Sequence, residues 1–151
     1  KLISNSSGMG TIQWKKFTVE RIPIPKINKN EQLPIIHKVN QILILKKTIE
    51  EISRKFQDRI SQNLPLEKFT NKLSNFYTLT FEEFFKELKK QKIELTLKQQ
   101  EEWEEYFYDK QNMMLKNIEK INQFELDINS IIYKLYGLNE DEIRIVKSEI
   151  E

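Results

Sequence analysis

The sequence predicts a mainly α protein: a long antiparallel helical coiled-coil arm capped by short helices, with a short N-terminal extended or strand segment in front of it. Three observations carry this. The stretch Leu97 to Tyr136 contains neither Gly nor Pro and repeats apolar residues at Trp103, Phe107, Met114, Ile118, Ile121, Phe124, Ile128, Ile131 and Leu135, in steps of three and four with Lys110 as a polar stand-in. An earlier stretch repeats the pattern at Ile35, Val39, Ile42, Leu45, Ile49, Ile52, Phe56 and Ile60. Finally, the composition is 38% hydrophobic against 32% charged, with three Gly and four Pro, which suits long helices that each bury one stripe and leave the rest in water.

Residues 1–29 read as loop, short strand and strap. Ser, Asn and Gly dominate residues 1–12 without helical period, so a loop is expected there. Trp14, Phe17, Val19 and Ile22 suggest an irregular short strand within residues 13–22. Pro23 and Pro25 then hold the IPIPKI run extended, because proline fixes φ and pushes its predecessor out of the helical region. The chain opens on Lys1 rather than Met, and a piece of a longer protein is expected.

Residues 30–151 read as the arm. The first rod is expected over about 31–62, starting between Asn30 and Pro34 because proline suits only the first helical turn, and ending before Pro65. Two capping helices are expected at about 65–77 and 80–92, the first from Leu66, Phe69, Leu73 and Phe76, the second opened by the Thr80/Glu83 capping box. The second rod covers 97–136, opened by Thr96 with Gln99 and closed by Gly137, which takes a left-handed end conformation without a Cβ penalty. A final helix at 139–149 is capped by Asn139 with Glu142. Because the chain goes out along one rod and returns along the other, the rods pair antiparallel, with the capping helices packed on Phe56, Trp103 and Phe107 at the tip.

Little here points to catalysis. There is no cysteine, which removes disulfides, thiolate metal sites and cysteine nucleophiles, and fits a cytoplasmic setting. His37 is the single histidine and forms neither a metal site nor a triad by itself. Glu101, Glu102, Glu104 and Glu105 fan around a helix and read as a solvated face. No glycine-rich phosphate loop and no apolar run long enough to span a bilayer occur. No catalytic, cofactor or metal residue is expected in this chain. Charge is uneven: residues 1–30 hold six cations against Glu20 alone, a balance of +5 in a chain whose total is +2. Lys15, Lys16, Arg21 and Lys26 are therefore the candidates for an anionic partner.

Two stretches carry a family resemblance. Arg21 to Gln32, RIPIPKINKNEQ, is similar to the junction in bacterial restriction-modification proteins where a target-recognition domain hands over to a long spacer helix. Ile128 to Val146, INSIIYKLYGLNEDEIRIV, resembles the closing segment of combined restriction-methylation enzymes and related adenine-specific DNA methyltransferases. The resemblance implies a C-terminal specificity and spacer region, with residues 1–29 the tail of a target-recognition domain. It implies double-stranded DNA as partner, together with methyltransferase or nuclease domains of the same chain. S-adenosylmethionine, and Mg2+ where a nuclease is fused, would serve the longer protein, since this chain shows neither the methyltransferase's Asn/Asp-Pro-Pro-Tyr/Phe motif nor a nuclease carboxylate-lysine set. A structural coiled-coil module for protein-protein interaction, unrelated to DNA, is the alternative.

Overall fold

A computed structural model describes residues 24–148, together with the backbone of two two-residue strands, β1 (Asn5–Ser6) and β2 (Ile12–Gln13). The strands pair antiparallel, Asn5 with Gln13 and Ser6 with Ile12, so the expected loop over residues 1–12 is corrected at both ends of a segment that holds Gly8 and Gly10. The strand expected over residues 13–22 lies, beyond Gln13, outside the described residues.

Two rods dominate the rest of the chain: α1 (Lys29–Asn63) and α4 (Leu97–Leu135). At about 1.5 Å per residue they are about 52 and 58 Å long. Their pairing is antiparallel. Lys38 near the start of α1 bonds Asp127 near the end of α4, while Phe56 near the end of α1 meets Phe107 near the start of α4 at 6.2 Å between ring centroids. The end at which α1 begins and α4 finishes is the root, and the opposite end is the tip. The apolar stripes read from sequence supply the seam, with Ile42, Ile52, Phe56 and Ile60 buried from one rod and Phe107, Met114 and Ile121 from the other. Val39 alone among these stripe positions is exposed, at the rim, and Ile118 is half-buried like the remaining positions of both stripes.

Capping chemistry sets the ends. α1 starts before its proline because Asn28 accepts from the Glu31 amide and Glu31 accepts from the Asn28 amide, a reciprocal box that satisfies two free N–H groups. Pro34 therefore lies inside the helix, beyond the first turn where it was expected, and contributes no N–H to the ladder at that point. The Thr80/Glu83 and Thr96/Gln99 boxes form as read, and Asn139 with Glu142 opens the last helix. Beyond α4, Gly137 adopts φ +65°, the Leu138 amide donates to Tyr133 and the Gly137 amide to Lys134, which satisfies the last carbonyls.

Between the rods lies the cap, with one correction. The helix expected over 65–77 shrinks to α2 (Asn71–Ser74) and a 3-10 turn (Phe76–Thr78), because Thr70 rather than Pro65 provides the N-cap. The preceding segment is irregular, with the Leu66 amide donating to the Leu64 carbonyl, and it is anchored by the Lys68 amide, which donates to Gln91 Oε1. Leu66 and Phe69 still reach the core from this segment, so their spacing reported burial rather than helix. α3 (Phe81–Lys90) comes next, and Lys92 takes φ +60° to let Ile93 turn back onto Leu88.

The core sits at the tip. Phe56, Phe76, Phe84 and Phe107 are fully buried, with Phe56 stacked on Phe76 at 3.7 Å and Phe107 against Phe84 at 5.1 Å. Gln111 of α4 donates through its amide nitrogen to the Tyr77 and Leu79 carbonyls, which ties the 3-10 turn to the rod. At the root the arm is two-stranded, with α5 (Glu140–Ser148) turned back beside the end of α4, where Leu138 and Ile143 line a hollow with Tyr133.

Candidate nucleic-acid interface

Residues 24–27 of the strap carry no regular secondary structure where they reach the root, and exposure alternates along them. Pro25 and Ile27 are partly covered, whereas Lys26 and Ile24 are exposed. Ile24, Pro25, Lys26 and Ile27 all border an open hollow of about 510 Å³, together with Ile35 of α1 and Ile132, Leu135 and Tyr136 at the end of α4. The Gln32 side chain donates to the Ile27 carbonyl at 3.2 Å, which fixes the last residue of the strap to the first turn of α1. Two segments about a hundred positions apart in the chain are thus neighbours.

Of the four cations expected to face DNA, Lys15, Lys16 and Arg21 lie outside the described residues. Lys26 is exposed on the strap, and no carboxylate among the described residues pairs with it. Its exposure permits a phosphate contact from an ammonium beside an apolar joint.

Two further cationic places were not singled out from sequence. Lys90 of α3 and Lys72 of α2 reach the Glu87 carboxylate of α3 at 2.7 and 3.8 Å, and the hydrogen bond from Lys90 holds that carboxyl below its ordinary value against the opposing effect of burial. At the tip, Arg59 and Lys110 lie 6.0 and 5.2 Å from the Tyr106 ring, beside a cleft of about 380 Å³ walled by Trp103, Asn63 and Gln99. The like charges Lys55 and Arg59, four apart on α1, could have marked this patch. Glu102 and Asp58 border the same surface, so its charge is balanced rather than strongly positive.

The expected bland residues behave as surface. His37 is exposed, and so are Glu101, Glu102, Glu104 and Glu105, which point around α4 rather than toward one another. Among the described residues no group of three or more His, Asp and Glu is placed to hold a metal ion, and no described helix is long and apolar enough to cross a membrane.

Fold and surface together define a helical arm, anchored at an apolar root and closed by an aromatic tip. The chain belongs to the family described as Domain of unknown function (DUF8810), which matches residues 28–132. That span runs from the cap of α1 to the last turn of α4, so the family unit coincides with the arm itself. No curated protein and no solved structure matches the chain.

Proposed function

We propose that this chain is the C-terminal specificity and spacer part of a DNA restriction-modification enzyme, an N6-adenine methyltransferase with or without a fused endonuclease. In this reading the arm performs no chemistry and positions a target-recognition domain on DNA. One observation carries it. The stretches RIPIPKINKNEQ and INSIIYKLYGLNEDEIRIV, which hold the resemblance, lie at the edges of the family unit, and the hairpin brings residues 24–27 of the first beside Ile132, Leu135 and Tyr136 of the second at the root. A junction split in sequence and joined in space is what a spacer arm leaving and rejoining a larger protein requires. S-adenosylmethionine and Mg2+ belong to other domains of that longer protein.

DNA contact in this reading comes from Lys15, Lys16, Arg21 and Lys26 against phosphates, which position the protein without reading bases. The chain alone binds duplex DNA weakly, with Kd about 10⁻⁴ to 10⁻⁶ M, and affinity falls steeply with salt because each contact releases counterions. Fluorescence anisotropy with a labelled duplex across a salt series measures this. In the longer protein, the Lys15→Ala/Lys16→Ala pair is expected to weaken target and nontarget duplexes about equally. Absence of binding at low salt, or tight sequence-selective binding, would sink the assignment of these lysines.

The second reading, a protein-protein interaction module, draws support from the exposed aliphatic side of α1, where Leu43 and Ile44 are 60% and 59% accessible. Stable assembly with a different protein, by a chain that fails to bind duplex DNA at low salt, would favour it.

A further inference from the structure

The root half of α1 is apolar on the side facing away from α4 as well as on the seam. Leu33, Ile36, Leu43 and Ile44 are all about half exposed or more, with Val39 at the border. These residues are not scattered. Leu33, Ile36, Asn40, Leu43 and Lys47 are spaced by alternating steps of three and four, which makes a second heptad stripe on a helix already holding one against α4.

We infer that this stripe is a contact between two copies of the chain, paired parallel and in register along Leu33 to Lys47. Asn40 selects the arrangement. With Leu33, Asn40 and Lys47 at a positions and Ile36 and Leu43 at d, parallel pairing sets Asn40 against its own copy, where the two amides hydrogen-bond each other. Any antiparallel layering sets Asn40 against Ile36 or Leu43 and leaves the amide without a partner, which costs desolvation. The flanks agree with parallel pairing: Lys46 at g meets Glu51 at e of the other copy, and Val39 meets Ile44. Lys47 and Glu50 then place like charges on the axis and end the contact.

Two heptads are too short to hold free peptides together, because the helices must be ordered at the same time. Here α1 is already folded against α4, so association orders only side chains. The expected dimer is weak, on the order of micromolar. It stands independently of the DNA reading, since no nucleic acid enters it.

Sedimentation equilibrium of the whole chain over a broad concentration range is expected to move from 18.3 kDa to twice that mass. Leu43→Glu is expected to raise the dissociation constant about 100-fold or more, since it removes an apolar side chain from both copies. Its circular dichroism should be unchanged, because Leu43 is 60% exposed in the single chain. The absence of native cysteine makes register testable. Leu33→Cys and Leu43→Cys should each form a disulfide dimer alone, as a disulfide needs Cα atoms within about 7 Å. A constant mass of 18.3 kDa at all concentrations overturns the inference. Cross-linking only when the two cysteine variants are mixed overturns the parallel register, and a dimer indifferent to Leu43→Glu places the contact elsewhere.

Discussion

Replacing Phe107 by Ala tests where the stability of the arm resides. Phe107 is fully buried, and its ring lies 5.1 Å from Phe84, 5.7 Å from Phe81, 5.9 Å from Phe76 and 6.2 Å from Phe56. One truncation therefore empties the point where both rods, the 3-10 turn and α3 converge. Lost transfer energy and the residual cavity together cost about 3 to 5 kcal/mol, a large share of the ~5 to 15 kcal/mol that holds a domain folded. Ile118→Ala, on the same stripe but half-buried on the two-stranded stretch, should cost about 1 to 2 kcal/mol, since less apolar area returns to water. Urea denaturation followed by far-UV circular dichroism gives both values. Equal losses at the two sites, or a loss below about 1 kcal/mol for Phe107→Ala, would refute the placing of the core at the tip.

Backbone conformation gives a contrasting pair: Lys92→Gly should stabilise by up to about 1 kcal/mol by relieving a left-handed residue, and Gly137→Ala should destabilise by about 1 kcal/mol. Nothing lies within 4 Å of a Cβ built at Gly137, so that cost is conformational, and a neutral Gly137→Ala melt would refute it. Acid should loosen the root. The Asp127 carboxyl is held low by its hydrogen bonds from Lys38 and then Gln123, so its contribution is present above the ordinary carboxylate pKa and is lost as pH falls through the folded-state value. Thermal melts of Asp127→Asn against the parent protein should therefore converge in acid, and a constant difference at all pH values would refute the coupling.

The ends of helices were legible because their chemistry is local. Thr80 with Glu83, Thr96 with Gln99 and Asn139 with Glu142 bond within four residues of chain, and Gly137 turns the chain unaided, so sequence placed these boundaries within a residue or two. Asn28 with Glu31 is the same local signal, and it starts α1 ahead of Pro34. Periodicity likewise determined the two rods and their seam, since a stripe of that length must be covered. Apolar spacing could not tell helix from irregular chain at Leu66 and Phe69, because either backbone can deliver a side chain to a core that the other elements create.

At the candidate interface the sequence supplied only the uneven charge and a family resemblance. Tertiary structure decided that the strap and the end of α4 meet at one joint, that Lys26 stands exposed beside it, and that Arg59 and Lys110 share the Tyr106 ring. It also separated the two heptad stripes of α1, covering Ile42 and leaving Leu43 in water. The physical reason is reach: caps and periods are settled within a few residues, whereas which stripe is buried depends on where a second rod, which begins 68 positions after the first (97 minus 29), comes to lie.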